Sequence, residues 1–256
     1  MAELRAFDPD PSIRWLFCMT HPDDELSIAT WIRRCVQAGC EVWMSWTHAT
    51  PARQREARAV AHMLGVRPDR IFFHGGTDGS VCDEMGELLP SFRSMIEKVD
   101  PDRVVCGAFE QGHLDHDATH WLVTHSFDGP VFEAPFYHIY TSRVQTINRF
   151  SDTKGQTTIR LTKAERRFKR ALARQYPSQN IWSVLLWYEI VHQGARLRPF
   201  RLAFSERLRL AKVEDYRRPA HPPRIASRVR RSSKWRRWRR ALRRAELFVA
   251  VPPTKK

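Results

Sequence analysis

Trp15-Leu16-Phe17-Cys18-Met19-Thr20, followed by His21-Pro22-Asp23-Asp24-Glu25, decides how this chain reads. The first stretch is a short apolar run bounded by polar residues, the pattern of a strand buried on both faces. Beyond the second, Leu26, Ile28, Ala29, Ile32 and Val36 recur at helical spacing. The 21–25 segment is therefore a strand-to-helix turn at the carboxyl end of a first strand, where open α/β sheets place their ligands. Three carboxylates crowded there repel one another unless a cation neutralises them. A divalent metal does so, and imidazole with carboxylate is a ligand set of the zinc type. The plainer alternative is a polar turn whose acids favour a helix N-terminus.

A second cluster weighs between the two. Gln111-Gly112-His113-Leu114-Asp115-His116-Asp117 follows another apolar run, Val104-Val105-Cys106. Two His/Asp clusters, each at a strand end and a helix start, can converge at one edge of a sheet. That context favours a metal site over a mere turn.

Working outward, the pattern predicts strands over 15–20, 41–47, 70–74, 102–107 and 131–134. Between them it predicts helices over 25–38, 52–64, 88–99 and 116–127. Gly39 and Gly65 stop two of these helices, and Pro90 interrupts or opens the third. The second half offers short strands over 137–140, 144–150 and 157–161. Thr162-Lys163-Ala164-Glu165 is a capping-box start for a helix to about residue 176. An apolar helix is expected over 181–193, and 194–227 is rich in Arg and Pro without a clear period. The expected fold class is α/β. It is a Rossmann-like, mostly parallel sheet with helices on both faces, a small antiparallel extension and a helical basic C-terminal segment. Right-handed crossovers put the post-strand loops on one edge. The expected division is a main domain over 1–200, which carries both His/Asp clusters, and a basic extension over 201–256.

The order HPDDE then GHxDH resembles the PIG-L/LmbE-like N-acetylglucosaminyl deacetylases. Arg53-Gln54-Arg55-Glu56 opening a helix that closes with Leu64-Gly65, and then Thr77-Asp78-Gly79, follow in the same order. The resemblance covers roughly residues 13 to 130, with a weaker echo in Tyr176-Pro177-Ser178-Gln179. It implies a zinc-dependent N-deacetylase, with Fe2+ or another divalent ion also suited to an N/O site. It implies His21, Asp24 and His116 as metal ligands and Asp23 as general base, a role a carboxylate beside an activated water can fill. His113 resembles the family's acid or oxyanion stabiliser. Asp115 can orient and charge a histidine, as carboxylate partners do. Arg53 and Asp78 resemble substrate-contacting residues. Glu25 and Glu56 read as structural.

The chain departs from the family in three places. Ser27, Ala29 and Thr30 stand where glycines usually follow HPDDE. Thr47-His48-Ala49 replaces Thr-Asp-Gly, so His48 either faces the substrate or replaces an acid at the rim. Glu110 and Gln111 stand where some members carry a tyrosine.

With 256 residues the chain can bury a sizeable core. Its start has no apolar signal-peptide run, and no stretch is long and apolar enough to span a bilayer. Five cysteines, Cys18, Cys35, Cys40, Cys82 and Cys106, are unpatterned. They suit a reducing cytoplasm without disulfides. Net charge is +15, and the eleven Lys/Arg between Arg224 and Arg244 leave 15 − 11 = +4 for the remainder. In the 224–249 tail, Trp235, Trp238, Leu242, Ala245 and Val249 form one stripe and the arginines lie mostly elsewhere. That suits a helix at an anionic membrane, on the inner face, with indoles at headgroup level. It equally suits a helix docked on the body by its Trp stripe.

The expected function is removal of the N-acetyl group from an N-acetylglucosamine-type residue of a glycoside, glycolipid or envelope saccharide, such as a lipopolysaccharide precursor. A nucleic-acid-binding protein using the Arg-rich tail is the alternative from another class. No zinc-finger spacing, RNA-recognition signature or basic-zipper pattern accompanies it. A catalytically inactive sugar-binding relative is the third, opposed by the complete set of His21, Asp23, Asp24, His113 and His116.

Overall fold

A computed structural model describes residues 5–136, 148–179, 204–212 and 215–249. The expected strand over 137–140, most of that over 144–150 and the helix over 181–193 lie outside the described residues.

β1 (Arg14–Met19) sits in the middle of the sheet. Trp15, Phe17 and Met19 enter one core and Leu16 and Cys18 the other, the period-two alternation of a strand covered on both faces. β2 (Glu41–Trp46) and β4 (Arg103–Gly107) flank it in parallel. β3 (Ile71–Phe73) pairs beyond β2, and β5 (Val131–Ala134) beyond β4. β7 (Ser205–Leu210) and β6 (Thr157–Arg160) extend this edge in antiparallel fashion, giving the order β3-β2-β1-β4-β5-β7-β6. The Rossmann-like parallel sheet and its small antiparallel extension are both present.

α1 (Ala29–Gln37), α2 (Pro51–Leu64) and α5 (Lys163–Ala173) cover the first core. α3 (Met85–Val99), α4 (Leu114–Thr124), α6 (Pro223–Arg231) and α7 (Ser233–Val249) cover the second. α5 starts on the expected capping box, with Thr162 and Glu165 bonded reciprocally.

Two expectations are corrected, and a choice the sequence left open is decided. The first helix does not run unbroken from residue 25. A single 3-10 turn, Asp24–Ser27, precedes α1. The N-terminus of α1 is capped from far along the chain, by the Glu206 carboxylate accepting from the N–H groups of Thr30 and Trp31 at 2.9 and 2.8 Å. Second, α3 passes through Pro90 and begins at Met85. Its buried face of Met85, Leu88, Leu89, Phe92, Met95 and Val99 outweighs one missing backbone hydrogen bond. Of the two readings of the tail, the docked helix holds: the stripe of Trp235, Trp238 and Leu242 is turned into the second core, where Trp238 has no exposed surface. The Trp238 indole donates to the Tyr216 carbonyl at 2.9 Å. These indoles face the body, so they cannot form a membrane-facing belt. Both β7 and α7 come from the stretch beyond residue 200, and both complete the sheet and core of the body. All five cysteines are free and buried. Among the described residues no helix is long and apolar enough to cross a membrane.

Candidate active site

β1 and β4 are neighbours, with Cys18 opposite Cys106. From β1 the chain order runs outward through β2 and β3, and from β4 it runs the other way through β5. The two motifs therefore leave the sheet on either side of its topological switch point, the ligand crevice of such folds.

Three donor atoms converge there. His21 Nδ1 and His116 Nε2 face each other at 3.2 Å. His116 Nε2 is 3.4 Å from Asp24 Oδ1, and all three residues are buried. Asp24 Oδ2 is already occupied, accepting the N–H groups of Thr20 at 3.1 Å and His21 at 2.8 Å. That leaves Oδ1 for the cluster. Burial holds His116 well below its usual range, so it is the neutral imidazole a metal requires. Burial also pushes Asp23 and Asp24 up, and pushes Glu25 up to about 7. A buried turn that disfavours its own negative charge, with two imidazole nitrogens and a carboxylate oxygen aimed at one point, fits a divalent cation.

The outer nitrogen of His21 meets two more carboxylates. Nε2 lies 3.3 Å from Asp78 Oδ1 and 3.5 Å from Asp115 Oδ2. Burial works against charge on His21, but the Asp115 and Asp78 carboxylates outweigh it and hold the ring at about 10. A cation that displaces the Nδ1 proton would leave the other proton on Nε2, facing these acids, the usual carboxylate–histidine arrangement at metal sites. Asp115 thus stands where a carboxylate could orient His21. A second, overlapping set of possible ligands is His21, His113 and Asp115. It would take the Asp115 carboxylate from Gly79, whose N–H donates to Oδ2 at 2.6 Å.

Asp23 stands beside the candidate ligands in a left-handed backbone conformation, φ 107°. A non-glycine residue pays strain there, and such strain gathers at functional sites. Arg53 holds this turn. Its Nη2 donates to the Pro22 carbonyl at 2.6 Å and to Asp23 Oδ1 at 3.1 Å. The structure therefore places Arg53 on Asp23 and buries it, with Asp78 the more open of the two expected substrate contacts. His48 is buried, and its Nδ1 lies 2.6 Å from the Gly76 carbonyl. Its ring centroid is 5.9 Å from that of His21, so it lines the same crevice. His113 caps α4, with Nδ1 accepting from the Asp115 N–H at 3.3 Å. An accepting Nδ1 puts the neutral ring's proton on Nε2, where it can be donated. Burial keeps His113 below its usual range.

Three residues of the site were not singled out from the sequence as functional. Glu25 reads there as a first-turn acid but is a buried hub. It accepts from the Trp46 indole at 3.2 Å and from the Tyr176 hydroxyl, and its Oε2 accepts the Asp23 N–H at 3.2 Å. Tyr176 lies in the Tyr176-Pro177-Ser178-Gln179 echo, which was the available signal. Arg237, from α7, reaches the Gly79 carbonyl at 2.8 Å and Asp83 at 2.7 Å. No local pattern points to it.

An open, mostly parallel sheet bearing a buried His/Asp/His cluster and a neighbouring carboxylate at its switch point is a Rossmann-like protein with a candidate metal centre. Residues 16–127 match the model of the PIG-L family, described as GlcNAc-PI de-N-acetylase, which bears out the family recognised from the two motifs. The match contains every candidate ligand. Three solved structures share the fold. A deacetylase triple mutant of the teicoplanin biosynthetic pathway, Orf2*T, is 18% identical over 78% of this chain and 100% of its own, with TM-score 0.55. The zinc-inhibited form of teicoplanin deacetylase Orf2 is 18% identical over 78% of this chain and 100% of its own, with TM-score 0.52. The N,N'-diacetylchitobiose deacetylase of Pyrococcus horikoshii is 16% identical over 79% of this chain and 85% of its own, with TM-score 0.52. None of the curated proteins matches the sequence.

Proposed function

We propose that this chain is a metal-dependent hydrolase that removes the acetyl group from an N-acetylglucosamine-type residue. The observation that carries the reading is the convergence of His21 Nδ1, His116 Nε2 and Asp24 Oδ1 next to the Asp23 carboxylate that Arg53 holds. The family match and the deacetylase neighbours support it.

The residues divide the work of amide hydrolysis. A divalent cation held by His21, Asp24 and His116 would polarise the amide carbonyl and acidify the attacking water. Asp23, held by Arg53, accepts the water's proton as the new C–O bond forms. His113 presents Nε2–H to the developing oxyanion or the departing nitrogen. The C–N bond then breaks, the proton passes to the amine, and acetate and a free amino sugar leave. Asp78 accepts from sugar hydroxyls at the rim, and His48 lines the crevice beside it. The acetylated group sits on a glycoside, glycolipid or envelope saccharide, including a lipopolysaccharide precursor. Zinc or Fe2+ suits the donor set. Because a related fold has a zinc-inhibited form, both ions belong in the test. Free, buried thiols suit a cytoplasmic location.

The test is acetate release from a panel of N-acetylated saccharides and glycolipids, using metal-stripped protein reloaded with Zn2+ or Fe2+. Turnover of an N-acetylglucosamine-bearing substrate that vanishes on chelation and returns with one ion is expected. Metal-independent turnover, or none on any N-acetyl sugar, would overturn the reading.

A further inference from the structure

With its Trp stripe committed to the core, α7 has one other face left, and that face is cationic. Arg236, Arg240 and Arg243 are exposed and follow one another at helical spacing, with Leu247 continuing the same row. The row lies opposite the buried stripe of Trp235, Trp238, Leu242 and Ala245. It runs about 16 Å at 1.5 Å per residue. α6 repeats the pattern, with Arg224, Arg228 and Arg231 exposed and Ala226 and Val229 buried. Among the described residues these six arginines have no ion-pair partner, whereas Arg237 and Arg244 both reach Asp83. Like charges four residues apart weaken a helix, so the pattern favours an external anion to neutralise it.

The tip of α7 is apolar. Leu247 is 70% exposed and Phe248 is 48% exposed. Phe248 leans on Gly86 of α3, where a Cβ would come within 2.3 Å of its ring. Leu247 is the more exposed of the two and lies in line with the arginines. The other end of α7 lies at the active-site rim, through Arg237 on Gly79 and Asp83.

We infer that the Arg236–Arg240–Arg243–Leu247 row is a docking surface for an anionic lipid bilayer. The arginines meet phosphate headgroups and Leu247 enters the acyl boundary. Nucleic acid fits the row less well. Trp235 and Trp238, the helix's stacking-capable indoles, are buried, and an apolar tip gains nothing against a phosphate backbone. The bilayer would thus be held by a helix that also touches the loop carrying Asp78. Only this last connection, between docking and a glycan-bearing substrate, rests on the deacetylase reading.

The test uses the full chain and co-sedimentation with vesicles of phosphatidylcholine alone or mixed with phosphatidylglycerol. Binding to the mixed vesicles, weakened by salt and absent on phosphatidylcholine, is expected. The triple variant R236E/R240E/R243E should bind roughly a hundredfold more weakly, at roughly fivefold for each basic residue. Leu247→Asp should abolish the part that survives high salt. Both variants should keep the wild-type melting temperature and wild-type turnover of a short soluble N-acetyl saccharide. Undiminished vesicle binding by the triple variant overturns the inference. So does salt-sensitive binding to duplex DNA with none to vesicles. Loss of saccharide turnover by the wild type would strike the proposed activity and leave the vesicle result standing.

Discussion

Arg237 donates from Nη2 to the Gly79 carbonyl at 2.8 Å, and the N–H of the same glycine donates to Asp115 Oδ2 at 2.6 Å. One glycine thus links the last helix to the carboxylate that flanks His21. Asp78, the residue before it, lies 3.3 Å from His21 Nε2. Arg237→Ala should loosen the loop and raise KM for a sugar substrate. A charge-assisted pair at a half-exposed position is worth about 1 kcal/mol, or roughly fivefold. Turnover should change little, and Arg237→Lys should recover part of the loss, since an ammonium replaces the charge but not the fork. Steady-state kinetics separate the two constants. An unchanged KM in the alanine variant would show that the loop holds itself.

Asp23→Asn keeps the shape of the strained turn and the contact with Arg53 but removes the proton acceptor. It should retain metal and lose turnover by about 10²–10⁴-fold. Metal analysis and kcat on the same preparation check this. Loss of metal together with activity would make Asp23 a ligand instead.

His21→Ala should lose metal and activity together, because His21 Nδ1 is one of the three converging donors. Asp115→Asn should weaken metal affinity by about 10–100-fold, the usual effect of an outer carboxylate partner. Titration of the stripped variants with Zn2+ and Fe2+ reads both effects. Unchanged affinity in both would place the ion elsewhere.

The sheet and its site were legible for a physical reason. Trp15 to Met19 are buried on both faces, so they appear as an unbroken apolar run, and the polar turn that follows stands out against it. The hidden parts are long-range contacts. The cap on α1 comes from Glu206, the hydroxyl on Glu25 from Tyr176, and the tie on Gly79 from Arg237. Such partners leave no periodic signal near the residues they serve. The tail was legible as amphipathic, but amphipathicity alone does not say what meets the apolar face. The second core supplies that answer.

Glu165 gives the fold a measurable acid sensitivity. Burial tends to raise its pKa, but the Arg34 guanidinium at 2.8 Å and the Thr162 bonds outweigh this and hold it at about 2, against an ordinary value of 4.5. A carboxylate depressed in the folded state adds stability that is present above the unfolded value and is lost as pH falls through the folded one. The window is therefore from about 4.5 down to about 2. With solvent screening the effect is about 1 kcal/mol. Arg34→Ala should flatten this part of the stability profile, measured by denaturant unfolding at stepped pH. An unaltered slope would show that the pair contributes nothing.

Trp238 tests whether the C-terminal helix is part of the folded body. Its side chain is fully buried beside Trp235, Leu242 and the α3 and α4 residues of the second core. Trp238→Ala deletes a large buried indole and should cost about 3–5 kcal/mol. For a chain of this size that lowers Tm by roughly 10 °C. A chain ending before Pro223 would lose Val229, Trp235, Trp238, Leu242 and Ala245 from that core at once, and should be insoluble or melt far lower. Thermal unfolding of the substituted and shortened chains distinguishes a docked helix from a detachable one. If the shortened chain keeps the full-length Tm, α7 contributes nothing to the core. The bond from Arg237 to Gly79 would then be too weak to hold the Asp78 loop, and KM for the sugar would be unchanged in the shortened chain as well.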